Sequence, residues 1–339
     1  MAEEQKMTTA LSAWTNSVTD MVVSDFSTNG VEFDAYAKEC AMNSMSSIYQ
    51  LVKSSGVAMN DIDTSNLREI VGQCASLKLN ANGYPRECYF QLRKKKMGDK
   101  YVQTVEMGVE GAGQEALLRN YGVNVAQTYD WWIVKEGDEF VFPKRKGIET
   151  TAPEWEPKGL SQKTIRVVLP VKLNDGSVTY LISERESVKT NLFAHVRNNL
   201  MNETFGILKG LNAKGKPKTR YDATPEELLE IDARKEVIYK ALRECETVEE
   251  MVKCEAAIPY ISGAWIDTFE SMVIRKMQNN AVKKFPKSFN NMAKESFIQI
   301  DETMQNVNNE IKENANTEIF VDAEVVESNG NEVFADVAP

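Results

Sequence analysis

Apolar residues recur at three- and four-residue spacing over 31–54, where Phe33, Ala37, Ala41, Met45, Ile48 and Leu51 fall on one stripe. That period predicts an amphipathic helix. Residues 66–80 repeat it with Leu67, Ile70, Val71, Cys74 and Leu77, with Asp63, Thr64 or Ser65 able to cap it. Asn80, Asn82 and Gly83 then break the pattern. The period changes at 86–96 and 100–107, which read as two strands joined through Met97-Gly98-Asp99. Residues 110–122 predict a short helix with Gly122 as its C-cap. Alternation returns over 123–142, and Asn174-Asp175-Gly176 between two β-rich runs predicts a hairpin over 164–183. Residues 146–163 read as a polar connection.

Residues 183–200 predict a further helix, and 206–223 a loop rich in Gly and Lys. Thr224-Pro225-Glu226-Glu227 places a cap and then a proline at the first helical position, opening a helix towards 244. Helices over 246–258 and 264–285 follow, the second stopping before Pro286. Helices, then strands, then helices predict an α+β fold with a central antiparallel sheet region. The expected organisation is a flexible or short packing arm at 1–30, a folded domain at 31–290 and a disordered acidic tail at 300–339.

Charge sharpens this division. The chain of 339 residues carries a formal net charge of -10, yet residues 301–339 alone hold ten acidic side chains and one lysine. The body is therefore almost neutral, and within it residues 86–100 carry +4 and residues 269–294 carry +5. Local field decides phosphate binding more than the total does. Nothing approaches the roughly 18 consecutive apolar residues of a membrane span, and the N-terminal segment lacks the basic start of a secretory signal. The five cysteines are widely spaced without CxxC, as for reduced thiols in a cytoplasmic protein.

Several catalytic classes find little footing. The single histidine, His195, beside Leu192 and Phe193, predicts a structural or surface residue and no His-based triad or metal cluster. Gly210 to Lys216 matches GxxxxGK, but Pro217 stands where Ser or Thr must hold magnesium. The bland expectation is a basic loop offering Lys214, Lys216, Lys218 and Arg220. Asp130, Glu136, Asp138 and Glu139 keep a two-metal nuclease open only if they converge.

The residues that favour binding are of another kind. Tyr84, Arg86, Tyr89, Phe90, Arg93, Lys94, Lys95, Lys96, Lys100 and Tyr101 interleave rings with cations. Bases stack on rings without regard to sequence while cations neutralise phosphates. On a strand, Arg86, Cys88, Phe90 and Leu92 face one way and Glu87, Tyr89, Gln91 and Arg93 the other, with Phe90 in the core. On the later helix, Met272, Lys276, Asn279 and Lys283 form a row facing phosphate, beside an apolar row of Phe269, Val273, Met277 and Ala281. Of Trp131 and Trp132, opposite strand faces put one in the core and leave the other open to an interface.

The order of these segments resembles the RecT/Red-beta class of phage single-strand annealing proteins, most closely its RecT branch. The resemblance runs from ASLKLN (75–80) through GYPRECYFQLRKKK (83–96), VQTVEMGVEGAGQEALLRNYG (102–122) and VKEGDEF (134–140). It resumes at VKLNDG (171–176) and ends in FESMVIRKMQNNAVKKFP (269–286). It implies ATP-independent annealing of complementary strands in phage recombination, in rings or helical filaments, with no cofactor. The implied partners are single-stranded DNA and annealed duplex, further copies of the chain, a phage exonuclease and the host single-strand binding protein. Positions matching the family pattern are Tyr89, Gln103, Gly108, Gly111, Arg119, Gly137, Asp138, Phe140, Met272, Lys276 and Pro286. The candidate DNA-binding set is Arg86, Tyr89, Arg93, Lys94, Lys95, Lys96, Lys100, Gln103, Arg119, Arg275, Lys276, Lys283 and Lys284. The competing readings are a non-catalytic structural or assembly protein and a metal-dependent nuclease.

Overall fold

The computed structural model describes residues 2–30, 32–97, 100–212, 215 and 218–300; the side chains at 2–14, 59, 96, 97, 100 and 101 lie outside that description. Three helices come first: α1 (Ala2–Thr28), α2 (Ala35–Ser55) and α3 (Thr64–Leu77). A long hairpin, β1 (Cys88–Met97) and β2 (Lys100–Val109), leads into α4 (Gly111–Tyr121). Short strands follow: β3 (Val125–Thr128), β4 (Trp132–Lys135), β5 (Glu139–Val141), β6 (Arg145–Lys146), β7 (Glu149–Thr150) and β8 (Glu154–Glu156). The long pair β9 (Thr164–Leu173) and β10 (Val178–Glu184) precedes α5 (Val188–Asn199), α6 (Pro225–Glu244), α7 (Val248–Lys253), α8 (Gly263–Asp267) and α9 (Phe269–Lys283). The fold is α+β, and every strand pair is antiparallel.

Local chemistry explains the helix ends. Asp34 accepts from the Ala37 N–H at 2.7 Å to start α2, and Gly56 ends it with φ 69°. Asp63 is the cap of α3, accepting from Ser65 and Asn66. At α6, Thr224 and Glu227 form a reciprocal capping box ahead of Pro225. Gly122 is the expected C-cap of α4, its N–H donating to the Leu118 carbonyl at 2.8 Å, but not in left-handed form. Its φ is -59°, and a Cβ there would meet the Leu118 carbonyl oxygen and Val125 Cγ2, each at 2.5 Å. Close approach explains this glycine.

One core gathers α1, α2, α3, the hairpin and α4, and here the expected boundaries shift. Within the N-terminal segment, expected as a loosely ordered or short packing arm, Ala2–Thr28 form α1, whose Val18, Val22 and Phe26 are buried one helical turn apart. Asp25 on α1 pairs with Arg68 on α3. At the other end, helical residues 291–300 return to the same core through Ala293 and Ile300, past the expected boundary at 290. Ser296 and Ser76 share a hydrogen bond at 2.7 Å. Residues 301–339, expected as the acidic tail, lie outside the described residues, as do Lys214 and Lys216.

A second core lies under α5 to α9, on the sheet in which β9 pairs with β10 along one edge and with β3 and β4 along the other. Odd residues of β9, including Val167, Leu169 and Val171, join the helix-side cores. Even residues face away; Arg166 lies against Phe140 and Phe142, and Val168, opposite Trp132, is also fully buried. His195 serves this core: its Nε2 accepts from the Ser262 N–H at 3.1 Å. Among the described residues, no helix is long and apolar enough to cross a membrane.

Burial also sets a response to alkali. The Cys40 thiol is pushed from 9.0 up to about 12 by burial and then by the Glu87 charge. The Tyr121 hydroxyl rises from 10.0 to about 12 through burial and then Asp34. Each folded value lies above the unfolded one, so above about pH 9 the folded state holds more protons than the unfolded chain, and stability falls as pH rises to about 12. Lys235 works in the opposite sense, since burial lowers it from 10.5 to about 8 and stability gains between those values. Urea titrations across this range are expected to show a decline that is shallower in Cys40→Ala and steeper in Lys235→Met.

Candidate nucleic-acid interface

The hairpin pairs Tyr89 with Gly108, Gln91 with Glu106, Arg93 with Thr104 and Lys95 with Val102. Directly opposed residues share a face. The alternate row, Cys88, Phe90 and Leu92 with Val105, Met107 and Val109, packs on the core. Phe90 therefore lies on the inner row, as its alternation predicts. The period of two also splits the lysine run: Lys95 joins the outer row of Tyr89 and Arg93, whereas Lys94, opposite Gln103, extends the inner row beyond the core. Lys94 and Lys95 are exposed, with no ion pair to a described residue. Lys96 and Lys100 keep their places in the strand register, and their side chains lie outside the described residues.

Tyr89 lies flat across β2 because Gly108 has no side chain; a Cβ there would be 2.2 Å from the ring. Gln103 closes the far edge of the hairpin: its carbonyl accepts from the Asp63 N–H at 2.9 Å, and Val105 N–H donates to Asn66 Oδ1 at 2.7 Å. The arginines are held by glutamates: Arg86 by Glu110 at 2.9 Å, Arg93 by Glu106 at 2.6 Å and Arg119 by Glu87 at 3.5 Å. The Arg86 and Arg93 pairs are open to solvent and contribute only about 0–1 kcal/mol, so an incoming anion can displace their carboxylates at little cost, whereas Glu87 is buried and keeps hold of Arg119.

The second basic segment meets the first at the start of α4. Arg275 on α9 lies against Gly111, where a Cβ would sit 3.4 Å from the Arg275 Cγ, and Gly111 follows the Glu110 that holds Arg86. Between α4 and α9 runs a cleft of about 490 Å³ lined by Pro85, Gly111, Glu115, Trp131, Arg275 and Gln278. Trp131 donates its indole N–H to Glu115 at 3.0 Å. The first turn of α4 has N–H groups without intrahelical acceptors, a favourable setting for negative charge. Tyr84, beside Pro85, is fully exposed.

On α9 the expected row is corrected. Met272 is only 8% exposed and Lys276 is half-buried, so Met272, Lys276, Asn279 and Lys283 do not form an open face. The row one position back, Ser271, Arg275 and Gln278, lines the cleft instead. Burial, and then Arg275, hold the Lys276 ammonium below the usual lysine range, while Glu110 opposes them. Lys276 also adds to burial in lowering His195. Lys283 and Lys284 are exposed at the C-terminal end of α9, where cations are favoured. Lys287 donates to the Val282 and Phe285 carbonyls at 3.2 Å, capping that end.

The tryptophan pair divides between the two sheet faces. Trp131 faces the cleft; Trp132 lies not open but beside Trp155, with ring centroids 5.9 Å apart. Asp138 bonds to the Lys135 and Lys158 N–H groups and to Trp155. Among the described residues, no group of three or more His, Cys, Asp or Glu side chains is placed to hold a metal. Sequence reasoning passed over Glu115 and Gln278; Gln278 could have been found from its spacing to Arg275 and Ser271 on one helix row. Comparison with protein-family models, with curated proteins and with solved structures returned no match.

Proposed function

We propose that the chain binds single-stranded DNA across the outer face of the hairpin and the α4–α9 cleft, and pairs complementary strands without ATP. The observation that carries this reading is the meeting of the two basic segments at Glu110 and Gly111. It joins Arg86, Arg93 and Lys95 to Arg275 in one cationic surface with Tyr84 and Tyr89 as stacking rings. Cations along a groove and rings for bases are what sequence-tolerant strand binding requires. The order of segments, which resembles the RecT branch of annealing proteins, supports the same reading. Copies aligned on one strand would add many weak contacts into stable binding. Its proposed partners are those copies, in a ring or filament, a phage exonuclease and a host single-strand binding protein, in the bacterial cytoplasm and with no cofactor.

The test is a salt titration of oligonucleotide binding alongside a strand-pairing assay without ATP. Lys95→Ala and Arg275→Ala alter exposed side chains and are expected to leave the fold intact. Every phosphate left without its cation is expected to reduce the log–log salt slope by about 0.7. Lys276→Met keeps the half-buried stem and is expected to slow pairing. Unchanged slopes and pairing in folded variants would remove this interface. Binding without pairing would make the chain a DNA-associated assembly protein, and metal-dependent cleavage would make it a nuclease.

A further inference from the structure

Between β4 and β9 the chain leaves the sheet as a hairpin in two parts, β5 with β8 and then β6 with β7. Its root is firmly built. Phe140 pairs across with Trp155, whose ring stacks on Trp132 at 5.9 Å and whose indole N–H donates to Asp138 at 3.1 Å. Arg166, held by Glu184 at 3.0 Å, lies 4.3 Å from the Phe140 ring and 4.1 Å from that of Phe142. Outward from this root the tip is bare. Lys146 pairs with Glu149, leaving Gly147 and Ile148 as a two-residue turn with Gly147 at φ 63°. A glycine with positive φ at the first central position is what a tight hairpin turn of this kind needs. It thrusts Ile148 into solvent at 102% exposure, and Lys144, Arg145 and Lys146 precede it, exposed and without an ion pair to a described residue. Residues 144–150 carry a net charge of +2.

We infer that this arm is a second DNA contact, with Lys144, Arg145 and Lys146 on phosphates and Ile148 laid against the bases of the bound strand. The inference rests on the proposed DNA-binding reading and adds a site to it. Apolar side chains inserted at base steps beside cationic contacts are an established way for protein to hold nucleic acid. A rigid root with an exposed tip fits a probe that reaches a partner without rearranging the body. Glu149, opposite Lys146, tempers the field but leaves the tip positive.

The test compares the full chain with a Lys144→Ala/Arg145→Ala/Lys146→Ala variant and with Ile148→Ala, using a dT oligonucleotide and one carrying abasic sites. Near-ultraviolet circular dichroism of the Trp132–Trp155 stack checks the arm's root. The triple variant is expected to lower the salt slope by about 2, roughly 0.7 per phosphate. Ile148→Ala is expected to weaken dT binding about tenfold at an unchanged slope, and to match the unaltered chain on abasic DNA. If the unaltered chain binds and both variants bind as it does, the arm inference is overturned while the cleft reading stands. If the unaltered chain binds no DNA, both fall.

Discussion

Replacing Trp265 with alanine is expected to lower stability by about 3–5 kcal/mol, the range for deleting a buried indole. Trp265 on α8 is 1% exposed and packs in the core that contains Leu192, Val196, Val273 and Met277. Its ring lies 6.2 Å from that of His195, which in turn accepts from the N–H of Ser262 just before α8. Removing it therefore leaves a cavity bounded by α5, α8 and α9, and two of these elements are tied through one imidazole. Since domains of ordinary stability hold only about 5–15 kcal/mol, the loss is a large share of the total. Urea unfolding is expected to show a lower midpoint at constant slope. Trp265→Phe, which keeps a ring in the space, is expected to cost less than half as much. α9 carries Arg275 and Lys276, so under the proposed function the alanine variant is also expected to bind DNA less well at temperatures where it is still folded. A cost under about 1 kcal/mol would mean that the surrounding helices close over the vacancy, contrary to the packing seen.

The elements legible in the sequence are those whose own residues settle their form. The stripes of α2 and α3, the capping box at Thr224 and Glu227, and the hairpin at Asn174-Asp175-Gly176 need no distant partner to be read. α1 carries a stripe of the same kind in Val18, Met21, Val22 and Phe26, but its polar surroundings made the segment read as an arm, and its partners α2 and α3 are not given by any local pattern. Residues 291–300 were passed over although Phe289, Met292, Ala293, Phe297 and Ile300 recur at helical spacing, because the domain's end was set at 290. The arm was hidden by strands of two and three residues interrupted by prolines. At the candidate site, the cations were named from composition, but their engagement with Glu110, Glu106 and Glu87 depends on strand register and helix docking. The opposite facing of Lys94 and Lys95 follows directly from the period of a strand. Which of two adjacent rows on α9 would be open depended on where α4 packs, and no local pattern carries that.

The docking of α4 on the hairpin can be tested at one glycine. A Cβ on Gly113 would lie 2.1 Å from the Glu87 carbonyl oxygen and 2.8 Å from Val109 Cγ1. That oxygen cannot swing aside freely, because it accepts the Glu110 N–H at 2.9 Å at the entrance to α4. The Glu87 carboxylate is held as well, by the Asn80 N–H at 2.7 Å and by Arg119. Gly113→Ala must then push α4 away from the hairpin, and overpacking of this kind costs about 1–3 kcal/mol. The same substitution at Gly72 on α3 meets nothing within 4 Å and is expected to stabilise by about 0.5–1 kcal/mol through helix propensity. Opposite signs for one chemical change separate packing from propensity. Displacement of α4 also carries Glu110 and Gly111 away from Arg86 and Arg275, so under the proposed function Gly113→Ala is expected to weaken DNA binding under conditions where circular dichroism shows it folded. Thermal unfolding of the two variants beside the unaltered chain decides the matter: if Gly113→Ala gains stability as Gly72→Ala does, α4 does not rest on the hairpin at this point, and the junction of the two basic segments loses its anchor.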